Sequence, residues 1–161
     1  MAKPPKLPVT SAIRFLRAAD ATFEPAQYVY VERGGTAASS AALGVPEHQV
    51  IKTLIMQTEK KTPLIVLMHG DNSVATGSLA RAIGTKKVTP CSPELAQKFS
   101  GYRVGGTSPF GTRKAMPVYA ETSIRTLELL CINAGKRGFL VKLSGAELER
   151  VLHPIWVSVA A

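Results

Sequence analysis

The chain lacks the residue patterns that mark disulfide-rich and metal-binding proteins. Its two cysteines, Cys91 and Cys131, lie far apart and neither has a CxxC partner, so the sequence indicates neither a disulfide framework nor a zinc site. The three histidines, His48, His69 and His153, are scattered along the chain without a ligand spacing. We therefore expect no metal and no other cofactor.

Long apolar runs are also absent. The apolar segments are interrupted by glycine, proline or charged residues, and none approaches the roughly 20 residues that a membrane-spanning helix needs. The first eight residues contain three prolines and two lysines and lack the apolar core of a secretory signal. We expect a cytoplasmic protein with no membrane partner, in which residues 1–8 form a flexible tail and residues 9–161 form one domain.

Acidic and aromatic residues are scarce. Twenty Lys and Arg residues stand against 11 Asp and Glu residues, and the formal net charge of +9 favours an anionic partner such as nucleic acid. Aromatic residues make up 6% of the chain. Modules that bind RNA by stacking interleave exposed aromatic side chains with cations. The composition therefore favours an RNA partner but counts against a simple stacking platform.

Short helices and strands are predicted along the whole chain. Ser92-Pro93-Glu94 is a typical helix start, and Ser144 with Glu147 forms a capping-box pattern. The predicted helices cover residues 11–19, 36–43, 77–83, 93–100 and 145–152, and the predicted strands cover 28–31, 50–56, 64–68, a short segment from 86, 115–120, 127–132, 139–143 and 155–159. We expect an α+β fold, with short helices flanking one strongly curved, barrel-like mixed sheet in a single domain.

A glycine-rich segment, Ser100 to Lys114, interrupts this pattern. Its glycines permit positive φ and close approach of a ligand, so the loop can present several N–H groups to one oxygen. The cations Arg103, Arg113 and Lys114 can bind phosphate. The alternative is an ordinary glycine-rich connection with solvated charges. A second cluster of glycines and cations, Asn133 to Gly138, follows later in the chain.

Lys52 is the charged residue of the clearest predicted strand, Val50 to Met56. Strand alternation places it on the same face as Val50, Leu54 and Met56. A lysine among apolar side chains either extends its ammonium to water or binds an anion. The strand pattern alone leaves both interpretations open.

Three segments taken together resemble the YbaK/EbsC family of tRNA-editing deacylases. They are Val50-Ile51-Lys52-Thr53-Leu54, Ser100 to Gly111, and Gly135-Lys136-Arg137-Gly138, and they occur in the family's order. The resemblance runs from about residue 9 to the C terminus. It implies a mixed α+β fold and a stand-alone enzyme that hydrolyses the ester of mischarged tRNA without a cofactor. The related insertion domain of bacterial prolyl-tRNA synthetases does the same work in cis.

The resemblance also implies a set of site residues. Lys52 corresponds to the family's essential lysine, and the loop from Gly105 to Gly111 is expected against the aminoacyl ester and the terminal adenosine. We expect Lys52, Gly105 and Gly106 to be catalytic, because they would position the ester and donate N–H groups to the oxyanion. The expected substrate-binding residues are Tyr30, Thr53, Thr107, Ser108, Pro109, Gly111, Asn133 and Lys136.

One departure from the family concerns the amino acid that is removed. Related cysteinyl-tRNA(Pro) deacylases tend to carry an acidic residue just after the second cluster, where this chain has Phe139 and Leu140. The expected substrate is tRNA(Pro) carrying cysteine or alanine, with serine or threonine next, and prolyl-tRNA synthetase is an expected partner. The alternatives are a non-enzymatic module that binds tRNA or a synthetase, and a small-molecule ester hydrolase.

Overall fold

A computed structural model describes residues 7–161, so most of the tail predicted at residues 1–8 lies outside the described residues. No helix within residues 7–161 is long and apolar enough to cross a membrane. The helices are α1 (Ser11–Ala18), α2 (Gly35–Leu43), α3 (Thr76–Ile83), α4 (Pro93–Ser100) and α5 (Gly145–Leu152), and the strands are β1 (Glu24–Gln27), β2 (Val50–Thr58), β3 (Pro63–His69), β4 (Val88–Pro90), β5 (Val118–Glu121), β6 (Leu130–Lys136), β7 (Phe139–Leu143) and β8 (Ile155–Val157).

The strands form one mixed sheet with the order β1-β7-β6-β2-β3-β5-β8, and β4 pairs with β2 outside this path. The pairs β1–β7, β6–β7, β2–β3 and β2–β4 are antiparallel, whereas β2–β6, β3–β5 and β5–β8 are parallel. The predicted α+β fold with a mixed sheet is confirmed. Within residues 7–161 the hydrogen-bonded path does not close into a barrel, because β1 and β8 remain edges.

Strand β2 lies at the centre of the sheet and separates two apolar clusters. Ile51 and Ile55 pack in the larger cluster, with residues of α1, β6 and β7. Leu54 and Met56 pack in a second cluster with residues of β3 and α3. The predicted alternation along this strand is therefore confirmed, and Lys52, opposite Met68 on β3, belongs to the Leu54 and Met56 face.

The predicted helix starts are confirmed, with one difference. Ser92 Oγ accepts a hydrogen bond from Leu95 N at 3.3 Å, and Ser144 Oγ accepts one from Glu147 N at 3.0 Å. The reciprocal half of the capping box is absent within the described residues. The Glu147 carboxylate instead accepts from the backbone N–H of Thr22 and from the guanidinium of Arg150.

Several predicted strands have the wrong bounds: the strand predicted at 115–120 begins at Val118, the strand predicted at 155–159 ends at Val157, and two others differ as follows. The strand predicted at 28–31 lies earlier, as β1, and only the N–H of Tyr28 extends the pairing, to the carbonyl of Gly138. Val29 is 88% exposed, so its β-branched side chain packs on no sheet. The strand predicted from 127 begins at Leu130, because Leu127 N–H donates to the Ile124 carbonyl in a turn.

A fully buried histidine ends strand β3. Nδ1 of His69 lies 2.6 Å from the carbonyl oxygen of His48, and its Nε2 lies 2.7 Å from Oγ of Ser123. A carbonyl only accepts, so Nδ1 carries a proton, and in the neutral imidazole Nε2 accepts from the serine hydroxyl. The His48 ring stacks on His69 with 3.6 Å between centroids, and Asp71 holds His48 at 2.9 Å. The neutral imidazole of His69 is therefore built into the fold.

We expect the free energy of unfolding to fall as the pH is lowered from about 7 to about 5. Burial lowers the pKa of His69 from its ordinary value of 6.5, so the unfolded chain takes up the proton first. Stability that depends on neutral His69 is complete above the unfolded value and is lost as the pH falls through the folded-state pKa. Urea denaturation at a series of pH values measures the effect.

A matched control is His153, which is exposed at the end of α5 with φ +48°. Asn tolerates this conformation, so His153→Asn should keep the full pH dependence. His69→Gln should be less stable at pH 7 and should lose part of the slope. A slope that is unchanged in His69→Gln would contradict this assignment.

Candidate active site

A cavity opens where the sheet divides beside β2. On one edge, β2 pairs with β6 at Val50 and Ile51 and with β4 from Met56 to Thr58, so residues 52–54 have no strand beside them there within the described residues. A cavity of about 510 Å³ fills this gap, within the range of roughly 300–1,000 Å³ that is typical of small-ligand sites. It is lined by Tyr28, Tyr30, Arg33, Gly35, Thr36, Ser39, Val50 to Met56, Pro90, Cys91, Pro93, Ala96, Val104, Gly105, Thr107, Asn133 and Leu140.

Two polar residues of β2 lie in this gap. Lys52 is half-buried and forms no ion pair with any described residue. The Oγ1 atom of Thr53 is buried and has no hydrogen-bond partner among the described residues. Unpartnered buried polar groups are rare in proteins and are costly unless a ligand or water completes them. The strand therefore places at the wall of the cavity an ammonium without an ion-pair partner and a hydroxyl without a hydrogen-bond partner among the described residues.

The glycine-rich loop is held by side chains of β6 and of the turn that follows it. Arg137 Nε donates to the carbonyl of Val104 at 2.9 Å, and Asn133 Nδ2 donates to the carbonyls of Gly105 and Lys136, each at 3.2 Å. Asn133 Oδ1 in turn accepts from Gly135 N at 2.7 Å. These bonds fix the carbonyl side of the loop on the second cluster of glycines and cations.

The fixed carbonyls also orient the N–H groups of the loop. In a trans peptide the N–H points opposite to the preceding C=O, so the bond from Arg137 to Val104 turns the N–H of Gly105 away from the turn. Gly106 N–H already donates to the carbonyl of Arg103 at 2.8 Å. Among the described residues the N–H groups of Gly105 and Thr107 have no acceptor, and both residues line the cavity. These are the donors that the loop can offer to a ligand.

The Tyr30 side chain lies against the loop at Gly105. The Arg137 guanidinium lies 5.0 Å from the centre of the Tyr30 ring, a cation–π contact. Gly105 has φ +90°, and a Cβ there would lie 2.7 Å from the Tyr30 hydroxyl. Only glycine fits between these side chains without a shift. The predicted residues Lys52, Thr53, Tyr30, Gly105, Thr107 and Asn133 therefore meet at one cavity.

The second half of the loop does not line the cavity. Ser108 is fully buried, and its Oγ accepts from Phe110 N at 3.2 Å. The Phe110 ring is also fully buried and stacks on Phe15 of α1, with 5.9 Å between centroids. Burial raises the pKa of Tyr102 to about 12, and its hydroxyl donates to the Phe110 carbonyl. This half anchors the loop in the core, and Ser108 shapes the turn.

The remaining predicted residues take structural positions. Gly106 is buried, and a Cβ there would lie 2.9 Å from Arg137 N, so it packs on the turn between β6 and β7. A Cβ on Gly111 would lie 2.6 Å from the carbonyl oxygen of Ser11. Neither they nor Ser108, Pro109 and Lys136 line the cavity.

Sequence reasoning missed several lining residues, among them Tyr28, Arg33, Ser39 and Cys91. Arg33 adopts φ +59°, which is uncommon for a residue other than glycine, and the following glycine pair was the available signal. Burial raises the pKa of the Cys91 thiol, which disfavours the thiolate that a cysteine nucleophile needs. Leu140, which stands where the family resemblance implied an acidic residue, lines the cavity.

The aminoacyl-tRNA editing domain family matches residues 33–151 of this chain. The match covers well over half of the residues, and the chain belongs to this family. It is an editing enzyme of the aminoacyl-tRNA deacylase class. Both the expected family and the expected enzyme class are confirmed.

Two relatives illustrate the similarity. The chain is 28% identical over 145 residues to the EbsC protein of Enterococcus faecalis, whose name proposes a Cys-tRNA(Pro)/Cys-tRNA(Cys) deacylase, with 89% of this chain and 88% of that protein covered. It is also 28% identical over 86 residues to the proline–tRNA ligase of Brachyspira hyodysenteriae. That match covers 53% of this chain and 15% of the ligase.

Solved structures share the fold. A hypothetical protein superposes with a TM-score of 0.87 over 94% of this chain and 100% of its own, at 20% identity. A protein proposed as a trans-editing enzyme for prolyl-tRNA synthetase superposes with a TM-score of 0.83 over 96% of this chain and 99% of its own, at 19% identity. At these identities the likeness concerns the fold.

We expect Gly105→Ala to lose most of its aminoacyl-tRNA hydrolysis. The new Cβ would lie 2.7 Å from the Tyr30 hydroxyl and 3.2 Å from Arg137 Nε, so either the loop or these two side chains, which contact it, must shift. A displacement of about 1 Å at a catalytic group can cost on the order of 100-fold in rate. Single-turnover hydrolysis of an aminoacyl-tRNA measures the effect.

Gly84→Ala is the matched control. Gly84 has φ +84°, and a Cβ there meets nothing within 4 Å. Both variants should lose about 1 to 2 kcal/mol of stability to left-handed backbone strain. Only Gly105→Ala should lose hydrolysis, and equal rates in the two variants would show that the loop does not need this close approach.

Proposed function

We propose that the protein is a trans-editing enzyme that hydrolyses the ester of mischarged tRNA(Pro). The observation that carries the proposal is the half-buried Lys52, which has no ion-pair partner among the described residues and lines one cavity with the free N–H groups of Gly105 and Thr107. A substrate with an anionic group for Lys52 and a reactive carbonyl for the two N–H groups matches this arrangement. The 3′ end of an aminoacyl-tRNA supplies a phosphate and an ester close together.

Lys52 acts as a positioning cation for the substrate. It lies opposite Met68 on β3 and on the same face of β2 as Leu54. Its ammonium binds the terminal phosphate or the ribose so that the ester lies against the loop. Binding energy from this remote charge holds the carbonyl in place for attack. The charge thereby contributes to rate as well as to affinity.

The loop acts on the ester carbonyl. As the tetrahedral intermediate forms, negative charge develops on the carbonyl oxygen, and a fixed N–H donor at that oxygen contributes on the order of 3 kcal/mol. Gly105 and Thr107 supply these donors in the proposal, and Thr107 takes the role that the sequence suggested for Gly106. Arg137 keeps the Gly105 donor in place by holding the Val104 carbonyl, and Asn133 holds the next carbonyl of the loop.

The nucleophile in this scheme is water rather than a side chain. Ser108 is buried and bonded within its turn, and burial raises the pKa of Cys91. His69 also lies outside the cavity lining. Water is left as the attacking group, oriented by the bound substrate and its neighbouring ribose hydroxyl, and the ribose oxygen of the ester is the leaving group.

A basic rim supports tRNA as the substrate. Arg33 lines the cavity, and the exposed residues Arg103 and Lys136 and the half-buried Arg137 belong to the loop and to the end of β6 beside it. These cations can neutralise phosphates of the acceptor end. Such a substrate would place the enzyme's work in the cytoplasm.

The cavity wall favours a small amino acid. Leu54, Met56 and Leu140 present apolar surface to the cavity. Cysteine and alanine are the leading candidates, with serine and threonine next. One methylene changes affinity by only about 1 to 3 kcal/mol in such a pocket, so discrimination by size alone is partial, and a synthetase partner can add to it.

A binding module without catalysis is the less favoured alternative. Stacking platforms for RNA need exposed aromatic side chains. The large apolar side chains that are exposed among residues 7–161 are Leu7, Val9, Val29, Val31, Val104, Leu129 and Ile155, none of them aromatic.

We expect Lys52→Ala to fold normally and to lose at least about 100-fold in deacylation, because the ester is no longer held against the loop. Lys52→Arg keeps the charge but changes its reach and geometry, so it should also lose most of the rate. The measurement is deacylation of purified tRNA(Pro) charged in separate reactions with alanine, cysteine, serine and proline.

Lys142→Ala is the matched control, because Lys142 is also a half-buried strand lysine but does not line this cavity. It should deacylate at the parental rate. If Lys52→Ala folds and deacylates every tRNA in the panel at the parental rate, the proposed site is wrong. Efficient removal of proline would contradict the proposed substrate.

A further inference from the structure

The cavity contains cations but no carboxylate. Of the residues that line it, Lys52 and Arg33 are basic, and none of those described is Asp or Glu. Glu47 does not line the cavity, and its carboxylate accepts a hydrogen bond of 2.8 Å from the hydroxyl of Thr36, which does. Just after the glycine and cation cluster of residues 133–138, the wall of the cavity is formed by Leu140, which is 3% exposed.

This arrangement opposes a charged α-amino group. A free α-amino group has a pKa of about 7.7–8.0, so below that pH most of it is ammonium. Moving an ammonium into an apolar cavity is costly unless an anion pairs with it, and nearby cations disfavour it further. The neutral amine meets neither penalty, because hydroxyl groups at the wall can bond to it.

Neutral partners for a nitrogen substituent are present at the same wall. Ser39 Oγ donates to the Tyr28 hydroxyl at 2.9 Å, and the Thr53 hydroxyl has no partner among the described residues. A hydroxyl can donate to an amine lone pair or to an acyl carbonyl.

We propose that the site accepts its aminoacyl ester with an uncharged α-nitrogen and therefore also hydrolyses N-acylated aminoacyl-tRNA. The inference rests on the proposed function, since it concerns the substrate of the same site. It adds a substrate class, esters whose amino group is blocked by a short acyl group. In this class acetylation removes the charge that the cavity disfavours and leaves the ester unchanged.

The test compares Ala-tRNA(Pro) with chemically prepared N-acetyl-Ala-tRNA(Pro). Hydrolysis by the full-length protein is measured between pH 6 and pH 8, with spontaneous hydrolysis subtracted at each pH. We expect the acetylated ester to be hydrolysed at least as fast as the free one at pH 6. As the pH is raised from 6 toward the amine pKa of about 7.7, the fraction of neutral amine increases. The rate for the free ester divided by the rate for the acetylated ester should therefore increase by up to about tenfold per pH unit.

A pair of variants places the effect at the cavity wall. Leu140→Glu adds the missing carboxylate and should shift the preference toward the free amine by about tenfold at pH 6, whereas Leu140→Gln has the same shape without the charge and should not. If Leu140→Glu does not fold, the comparison of the two esters on the parental protein still decides.

The outcomes separate this inference from the proposed function. Hydrolysis of the free ester without the acetylated one, or a ratio that does not change with pH, would overturn the inference and leave the deacylase intact. If neither ester is hydrolysed, nor any other ester in the mischarged panel, the proposed function fails and the inference fails with it.

Discussion

One side chain of β6 and one of the turn that follows it determine the shape of the candidate site. Asn133 and Arg137 hold the carbonyls of Gly105 and Val104. Since a peptide group is planar, fixing its carbonyl also fixes its N–H. The bond from Arg137 therefore fixes the N–H of Gly105, and a donor held in advance stabilises charge better than one that must reorient. The bond from Asn133 fixes the next peptide, whose N–H, on Gly106, bonds within the loop. The β-bulge between Asn133 and Lys136 makes this geometry, because the register shift places the asparagine amide within reach of both carbonyls.

The division of the sheet beside β2 has an equally simple physical basis. Strand β6 pairs with the start of β2, and β4 pairs with its end. The middle of β2 carries Lys52 and Thr53, and a neighbouring strand at that edge would fill the space that the cavity occupies. Apolar packing on both faces of β2 stabilises the strand although part of its edge is unpaired. The charge is thus tolerated because the cavity gives the ammonium access to solvent and to an anion.

The sequence predicted much of the fold, because its signals were local. Alternation placed β2 and β3 correctly, and the side chains of Thr10, Ser92 and Ser144 cap the helices that follow them. The strand predicted at 28–31 was wrong, because Tyr28 and Tyr30 are apolar enough for a strand but turn toward the cavity. That outcome depends on contacts with residues about 75 positions away, such as Tyr30 with Gly105, which no local pattern contains.

The candidate site was predictable in part for the same reason. Lys52 and the glycine loop are marked by residue type, and the structure brings both to the cavity. The sequence could not separate the half of the loop that lines the cavity from the half that Phe110 anchors in the core. Nor could it show that Gly106 uses its N–H within the loop. These distinctions depend on peptide orientation, which glycines leave open until tertiary contacts select one conformation.

The central claim is that Asn133 supports hydrolysis through its hold on the loop at Gly105. A double-mutant cycle of Asn133→Ala and Gly105→Ala, read as the single-turnover rate of deacylation, tests it most directly. If both residues act through the same loop conformation, the double variant should lose far less than the sum of the two single losses, with a coupling of about 0.5 to 3 kcal/mol. Losses that add to within about 0.5 kcal/mol would mean that the two residues act independently, and the account of a loop held in advance would be wrong.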